Sequence, residues 1–186
     1  MPKNWVEFSL GATIIPRLLI CAALSLAFGA AEGAASKTSD DAGVVFRKPF
    51  TLHVRVDQEH YYEEKKGKIP YVYQGLVYLF LGDKFGLKVD VADGAVRAIR
   101  YERDLSKADV TLEFSVADPV NGKYTSMLKM QNRTRYTFLM DGGMTVPDRK
   151  DILETSITPV RAGLLHYEAW PHPILQLALS HIRIQK

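Results

Sequence analysis

Residues 161–184 read RAGLLHYEAWPHPILQLALSHIRI and carry the clearest folding signal in the chain. Apolar and polar residues alternate before the Pro171-His172-Pro173 corner with the two-residue period of a β-strand, and the period returns after the corner. Both prolines lack an N–H donor and push the preceding residue toward extended backbone. We therefore predict a strand, a rigid corner and a second strand, which together close an apolar core.

The same period recurs through the rest of the chain and predicts an all-β fold. Asp93-Gly94 marks a hairpin, because such a pair accepts the positive φ angles of a tight turn. The other segments predicted as strands are 50–57, 71–81, 85–91, 96–103, 109–117, 124–131 and 136–141. About eight or nine short strands without a convincing amphipathic helix are typical of an antiparallel β-sandwich, and we predict an immunoglobulin-like one.

Two segments near the start of the domain are less regular. Residues 58–70 are charged and contain Gly67 and Pro70, so we predict a long loop at the rim of the fold. Residues 71–81 are apolar throughout and would also fit a helical stripe. Gly75 and the Tyr, Val and Phe content favour a strand there.

A second hairpin is predicted between residues 124–131 and 136–141. Its tip would be Asn132-Arg133-Thr134, which matches the N-glycosylation acceptor pattern. A hairpin tip is accessible to solvent, so modification of Asn132 would be possible there. The alternative is that asparagine occupies a turn for its backbone chemistry alone.

The N-terminus has the composition of a secretory signal peptide. Arg17 precedes an apolar run of 12 residues, Leu18 to Gly29, and the small residues after it offer cleavage following Gly33 or Ala35. The run is too short to span a membrane, which takes about 20 residues. We therefore predict export to a bacterial-type periplasm or secretion, with membrane contact only if this segment stays uncleaved. The predicted parts are a signal peptide over 1–35, a flexible leader over 36–48 and a β-sandwich domain over 49–186.

Composition excludes several partners and chemistries. The 186 residues include 24 Lys and Arg against 21 Asp and Glu, and the net charge of +3 comes without the dense basic run that binds nucleic acid. Cys21 is the only cysteine, and it lies within the apolar run of the signal segment. The predicted mature domain therefore has no disulfide, thiolate metal site or catalytic cysteine.

Candidate metal ligands occur in the closing stretch. His166 and Glu168 lie two residues apart on one predicted strand face, and His172 follows at the corner. A divalent metal such as zinc needs more converging ligands than one strand face supplies. We therefore favour solvated polar residues on the outer face over a metal site, and we predict no cofactor.

Four tyrosines flank the charged segment 58–70 and are the predicted partner-binding residues: Tyr61, Tyr62, Tyr71 and Tyr73. Tyrosine supplies rigid, amphipathic contact area at low entropic cost, which suits a protein interface. The alternative is that these tyrosines lie at strand ends and shield the core.

Familiar catalytic patterns do not occur in the sequence. No serine lies in a strained glycine turn, and Gly142-Gly143 precedes a proline-bearing loop instead of the helix that follows a phosphate-binding loop. Lysines directly follow the acidic residues of segment 57–64, and such a mixture of charges is typical of a solvated surface. We therefore predict that the protein is not an enzyme.

Three functions remain open. We favour an exported, non-catalytic binding or structural module that contacts another protein or an envelope component through its rim loops. A second possibility is an exported metal-binding protein. A third is a periplasmic solute-binding protein, because the order of strand 50–57, tyrosines, segment 71–81, GLKVDV and KADVTLEF is similar to the first lobe of that family. That resemblance implies substantial helix and a second lobe.

Overall fold

A computed structural model describes residues 43–120 and 123–186, so the predicted signal peptide and most of the predicted leader lie outside the described residues. The described part of the chain contains β-strands and no helix. The strands are β1 (Phe50–Arg55), β2 (Tyr61–Lys66), β3 (Val72–Tyr73), β4 (Leu76–Leu79), β5 (Lys84–Ala92), β6 (Ala95–Glu102), β7 (Val110–Val120), β8 (Lys123–Asn132), β9 (Phe138–Thr145), β10 (Leu153–Ser156), β11 (Leu165–Trp170) and β12 (Gln176–Ile184).

Two five-stranded antiparallel sheets form the body of the domain. We call them sheet A, with strand order β10-β9-β12-β4-β3, and sheet B, with order β11-β8-β7-β5-β6. Every adjacent pair in both sheets is antiparallel. This confirms the predicted all-β antiparallel sandwich, whereas the narrower immunoglobulin-like assignment stays a prediction.

The main core lies between the two sheets. Alternate residues of β7 in sheet B point inward, and Leu112 and Phe114 are at most 1% exposed. Leu177 and Leu179 of β12 face them from sheet A and are equally buried. The alternation in sequence therefore records which side of each strand faces the core.

The closing stretch forms the predicted strand, corner and strand. β11 belongs to sheet B and β12 to sheet A, so the proline corner carries the chain from one sheet to the other. Trp170 is 7% exposed, and its indole N–H donates to Thr155 Oγ1 at 2.8 Å. Trp170 therefore has a structural role, because it links β11 of sheet B to β10 of sheet A.

The faces of β11 are the reverse of the predicted ones. His166 and Glu168 lie opposite Met130 and Leu128, which are fully buried, so the polar pair points toward the interior. Tyr167 and its neighbours on the other face are exposed instead. The prediction failed because β11 ends its sheet, where polar side chains can fill the open margin between the two sheets.

The hairpin at Asp93-Gly94 is confirmed, but residues 71–81 form a second hairpin instead of one strand. Gln74 and Gly75 have φ angles of 48° and 78°, the positive values of a tight turn between β3 and β4. A continuous apolar segment hid this turn, because Gln74 is not among the residues that usually mark one.

The predicted rim loop 58–70 is also wrong, because it contains β2. This strand pairs with β1 as a two-stranded ribbon outside the two sheets. Leu52 and Val54 of the ribbon are buried against Phe80 and Leu175, which forms a second, smaller core. The charged residues of β2 concealed the strand, since only one strand of the ribbon supplies the buried apolar side chains.

The hairpin predicted about Asn132-Arg133-Thr134 does not form. β8 pairs with β7 and β11 in sheet B, whereas β9 lies in sheet A, so this segment is a crossover between sheets. Asn132 is 0% exposed, and the expectation of an accessible glycosylation site is therefore wrong. A two-residue period identifies strands but does not say which strand is the neighbour.

The end of the predicted flexible leader belongs to the folded domain. Phe46 forms a bridge with Pro70, and Arg47 N–H donates to the carbonyl of Ile69 at 2.9 Å. Arg47 is 6% exposed and forms an ion pair with Asp83 at 2.5 Å. The sequence did not predict this attachment, because the residues before position 43 are small and polar. The attachment depends on a single buried arginine.

Candidate functional site: the groove between the sheet edges

The structure divides the four predicted partner-binding tyrosines among different environments. Tyr61 and Tyr62 are neighbours on β2 and point to opposite faces of the ribbon. Tyr61 is 49% exposed; its ring centroid lies 4.6 Å from that of His53, and the Arg55 guanidinium lies 5.2 Å from the Tyr61 ring. It is the tyrosine of this pair that another molecule can reach.

Tyr62 is committed to contacts within the ribbon. Its hydroxyl donates to Glu64 Oε2 at 2.5 Å, and Lys66 pairs with the same carboxylate at 2.7 Å. The hydrogen bond to Glu64, partial burial and the negative charge together raise the pKa of Tyr62 to about 12. Its hydroxyl therefore stays protonated and engaged at neutral pH.

Tyr71 shields the core, as the alternative interpretation of the tyrosines expects. Its ring stacks on Tyr101 with centroids 4.3 Å apart and meets the edge of Phe85 at 5.0 Å. The buried Arg47 guanidinium lies 3.9 Å from the centre of the Tyr71 ring. Because the Tyr71 ring makes these contacts on several sides, we assign it a structural role.

Tyr73 lies in a different place, at an open groove between the margins of the two sheets. The groove has a volume of about 380 Å³ and lies between β3, the last strand of sheet A, and β6, the last strand of sheet B. We call it the edge groove, and its lining residues are Gly43, Val44, Val45, Val72, Tyr73, Gln74, Ile99, Arg100 and Tyr101.

The edge groove combines apolar walls with one charged side chain. Val45 is 40% exposed, whereas Ile99 and Tyr101 are half-buried, so apolar atoms remain open to solvent at this place. Arg100 is exposed and is the only charged side chain among the described residues that line the groove. The arrangement suits an apolar group that carries, or lies next to, a negative charge.

The backbone beside the groove adds a second means of binding. β6 pairs with β5 on one side and has no strand partner on the other among the described residues. An extended peptide can add to such an edge through main-chain hydrogen bonds, while alternate side chains enter the neighbouring groove. The geometry therefore fits an extended polypeptide better than a small compact ligand.

His166 and Glu168 are brought together, as their spacing in sequence suggests. His166 Nε2 lies 2.8 Å from Glu168 Oε1, and the same oxygen accepts hydrogen bonds from the amide and hydroxyl of Thr158, both at 2.7 Å. Burial opposes ionisation of this carboxyl, but the hydrogen bonds from Thr158 and His166 outweigh it and lower the pKa of Glu168. The pair fastens β11 to the segment after β10.

His172 does not join this pair. Its contact is with the carbonyl oxygen of Pro173, 3.4 Å from His172 Nδ1. Within residues 43–120 and 123–186, no three His, Cys, Asp or Glu side chains gather in a way that could hold a metal ion. Among the described residues, the metal-binding hypothesis therefore has two neighbouring candidate ligands, His166 and Glu168, and no third.

Two hydroxyl-histidine-carboxylate groups occur in the part of the chain that the structure describes, and neither has the geometry of a catalytic triad. On β12, Ser180 Oγ and Asp141 Oδ2 both approach His181 Nδ1, at 3.3 and 3.0 Å. In the Thr158 group, the hydroxyl and the carboxylate both approach Nε2 of His166. A triad places the nucleophile and the acid on opposite ring nitrogens, so that the imidazole can pass a proton between them.

Comparison with known proteins leaves the site to be interpreted on its geometry. No protein-family model, curated protein or solved structure matches this chain. Within the described ranges, no helix has the length and apolar character needed to cross a membrane.

The sequence points to Tyr73 but not to its neighbours in the groove. Ile99 and Tyr101 lie on β6, which the sequence marked only as the return strand of a hairpin. Val45 lies in the predicted leader. The one available signal is the pair Arg97 and Arg100 on β6, because positive charge is typical of a strand at the edge of a sheet.

Proposed function

We propose that this chain is an exported, non-catalytic binding module of a bacterial-type periplasm or cell envelope, and that it holds an extended segment of another protein in the edge groove. Export is supported by the signal-like residues 18–35 of the sequence. The binding role is supported by the groove and by the tyrosine that lines it. The contact surface thus lies at sheet margins and not on the rim loops alone.

One observation carries the proposal: an apolar groove and an unpaired strand edge lie side by side. An apolar groove alone could be a packing defect, and an unpaired edge alone occurs in every open sheet. Together they supply both parts of strand addition, since β6 offers backbone groups and Ile99 and Tyr101 offer side-chain contacts. Arg100 favours a segment that carries an acidic residue next to its apolar ones.

A non-catalytic role is supported by the geometry of the two histidine groups. Both place the hydroxyl and the carboxylate on one ring nitrogen, so neither can relay a proton from nucleophile to acid. The binding assignment needs no cofactor.

A peptide-display selection against the exported protein tests the binding assignment. We expect the selected peptides to alternate apolar with polar residues and to carry an acidic residue. Arg100→Glu is expected to weaken their binding by about tenfold or more, because it replaces an attraction by a repulsion. Arg97→Glu is the matched control, since Arg97 is exposed on the same strand, pairs with Asp93 and does not line the groove. Equal loss in both variants, or none in either, would contradict the proposal.

The export assignment has its own measurement. Mass spectrometry of the protein recovered from its native compartment is expected to find an N-terminus at Ala34 or Ser36. Recovery of the uncleaved chain in the cytosol would contradict it and would leave the groove experiment unaffected.

A further inference from the structure

A second cavity lies where β5 extends beyond the start of β7. Its volume of about 460 Å³ is within the range of small-molecule sites, about 300 to 1,000 Å³. It shares no residue with the edge groove, so the two are separate places on the domain. We call it the crossover cavity, and its lining residues are Val89, Asp90, Val91, Asp109, Arg133, Thr134, Arg135 and Tyr136.

The crossover cavity is a gap in sheet B. β5 pairs with β7 through residues 84–87, whereas residues 89–91 have a described strand partner only in β6. Asp109, directly before β7, borders the gap, and its Oδ2 atom accepts a hydrogen bond from the Val89 amide at 2.9 Å. The crossover between β8 and β9 borders it too, since the Arg133 amide donates to the Asp109 carbonyl at 2.8 Å. Hydrogen bonds therefore fix the walls of the gap.

Two arginines line this cavity without a carboxylate partner among the described residues. Arg133 Nη1 donates to the carbonyl oxygen of Leu105. Arg135 Nη2 donates to the hydroxyl of Tyr136 at 2.9 Å, and its guanidinium lies 5.1 Å from the centre of that ring. Both acceptors are neutral, and a guanidinium carries several N–H donors. Each arginine is therefore positioned by a hydrogen bond, while its charge and most of its donors remain available.

The two carboxylates of the cavity differ in their partners. Asp109 is already compensated, because its Oδ1 atom lies 3.1 Å from Lys88 Nζ and its Oδ2 atom accepts from the backbone. Asp90 is exposed and forms no ion pair among the described residues. The cavity thus has unpaired positive charges on the crossover and an unpaired negative charge on β5.

From these charges we propose that the crossover cavity binds a small zwitterion, with its anionic oxygens on Arg133 and Arg135 and its ammonium group at Asp90. Guanidinium groups bind carboxylate and phosphate oxygens through charge-assisted hydrogen bonds, which are roughly twice as strong as neutral ones. A simple anion would make the same contacts but would be repelled by Asp90. An ammonium group on the ligand replaces that repulsion by an attraction, so the arrangement selects a zwitterion over an anion.

The anionic end is a carboxylate, as in an amino acid or short peptide, or a phosphate, as in phosphoethanolamine. Nuclear magnetic resonance titration of the full exported protein with diglycine and with phosphoethanolamine distinguishes the two. We expect at least one probe to move the amide signals of Val89, Val91 and residues 133–136, while the signals of the edge groove stay in place. The probe that binds identifies the anionic group. Absence of binding by both probes would overturn the proposal.

Probes that lack one charge test whether both ends of the ligand are recognised. N-acetyldiglycine has no ammonium group and diglycine amide has no carboxylate, while inorganic phosphate and ethanolamine separate the two ends of phosphoethanolamine. We expect each to bind at least about tenfold more weakly than its zwitterion, because one of the charge contacts is lost. Equal binding of a zwitterion and its blocked forms would contradict the assignment.

Three variants assign the charges to residues. Arg135→Gln is expected to weaken binding of the zwitterion by about tenfold. Asp90→Asn is expected to weaken the zwitterion but to strengthen the probe that has only the anionic group, because it removes a repulsion. Arg161→Gln is the matched control, since Arg161 is also exposed, forms no ion pair among the described residues and does not line the cavity. Melting temperatures check that all three variants fold, and equal weakening by Arg135→Gln and Arg161→Gln would overturn the proposal.

Discussion

Asn132, the last residue of β8, holds two connecting segments in place through one buried amide. Its Nδ2 atom lies 2.7 Å from the carbonyl oxygen of Tyr136 and 3.1 Å from the carbonyls of both Val160 and Arg161. Its Oδ1 atom accepts hydrogen bonds from the amide and hydroxyl of Thr134, at 2.9 and 2.8 Å. The nitrogen that would carry a glycan is therefore buried and engaged in the folded domain.

Replacing this side chain by alanine should destabilise the domain. Asn132→Ala leaves buried carbonyl and amide groups without partners, and each such group costs about 1 to 3 kcal/mol. We expect the free energy of unfolding, measured in urea, to fall by about 3 kcal/mol. Gln131→Ala is the control, because Gln131 is the half-buried neighbour on the outward face of β8 and its loss should change stability by less than about 0.5 kcal/mol. Equal effects of the two substitutions would contradict the anchoring role.

Glu168 gives the domain a pH-dependent contribution to stability. Burial opposes the charged form, but hydrogen bonds from Thr158 and His166 lower its pKa below the ordinary 4.5. A lowered pKa in the folded state stabilises the fold above the unfolded-state pKa. The contribution is lost as the pH falls below about 4.5 and through the lower folded-state pKa.

The matching experiment compares unfolding free energies of the wild-type protein and Glu168→Gln between neutral and acid pH. The wild-type protein should lose more stability than the variant as the pH falls, because only the wild type must protonate a carboxylate held by hydrogen bonds. Parallel curves for the two proteins would contradict the assignment of this carboxylate.

Among the elements, β5 lies very close to the link between β6 and β7. The link that follows β6 crosses β5 at Gly86. A Cβ atom at Gly86 would lie 2.4 Å from Ala108 Cβ and 3.1 Å from the carbonyl oxygen of Glu102. Glycine is thus required here by lack of space and not by a positive φ angle.

Gly86→Ala should therefore lower the free energy of unfolding by about 1 to 3 kcal/mol through overpacking. Gly67→Ala is the matched control, since a Cβ atom there would meet no atom within 4 Å. That substitution should be neutral or stabilise slightly, because it restricts the unfolded chain. Thermal and urea unfolding measure both variants, and a neutral Gly86→Ala would show that the link can move away from β5.

Periodicity predicted most strands but not their partners. Residues 109–117 alternate cleanly and form most of β7, because each inward side chain fills the space between two sheets. β2 was missed, since its buried face uses Tyr62, Glu64 and Lys66, which form a polar network beside the small core. Of the groove residues, the sequence predicted only Tyr73. Ile99 and Val45 lie in distant segments, and a local sequence pattern does not show that the fold brings them next to Tyr73.

For the whole molecule, Arg47 ties the start of the described chain to sheet A. Its guanidinium pairs with Asp83 and donates to the carbonyl oxygens of Pro70 at 2.7 Å and Tyr78 at 2.6 Å. Asp83 Oδ2 also accepts a hydrogen bond from the amide of Phe80 at 2.7 Å. One buried ion pair therefore fastens residues before β1 to the hairpin of β3 and β4.

Arg47→Leu should be among the most damaging single substitutions. It leaves the carboxylate of Asp83 without its cation in a mostly buried position, which typically costs about 3 to 5 kcal/mol. Lys48→Leu is the control at the neighbouring exposed position. We expect calorimetry to show a large fall in melting temperature for the first variant and little change for the second. Similar melting of both would mean that the domain begins at residue 49.

Strand β12, the last of the described strands, occupies the middle of its sheet. β12 lies between β9 and β4, so neither neighbour has its full set of backbone partners until residues 176–184 are in place. A nascent chain that lacks them has two unmatched strands and no Leu177 or Leu179 to fill the interior. We therefore expect the domain to remain protease-sensitive during synthesis until residues 176–184 have been added, and to become resistant in one step once they pair with β9 and β4.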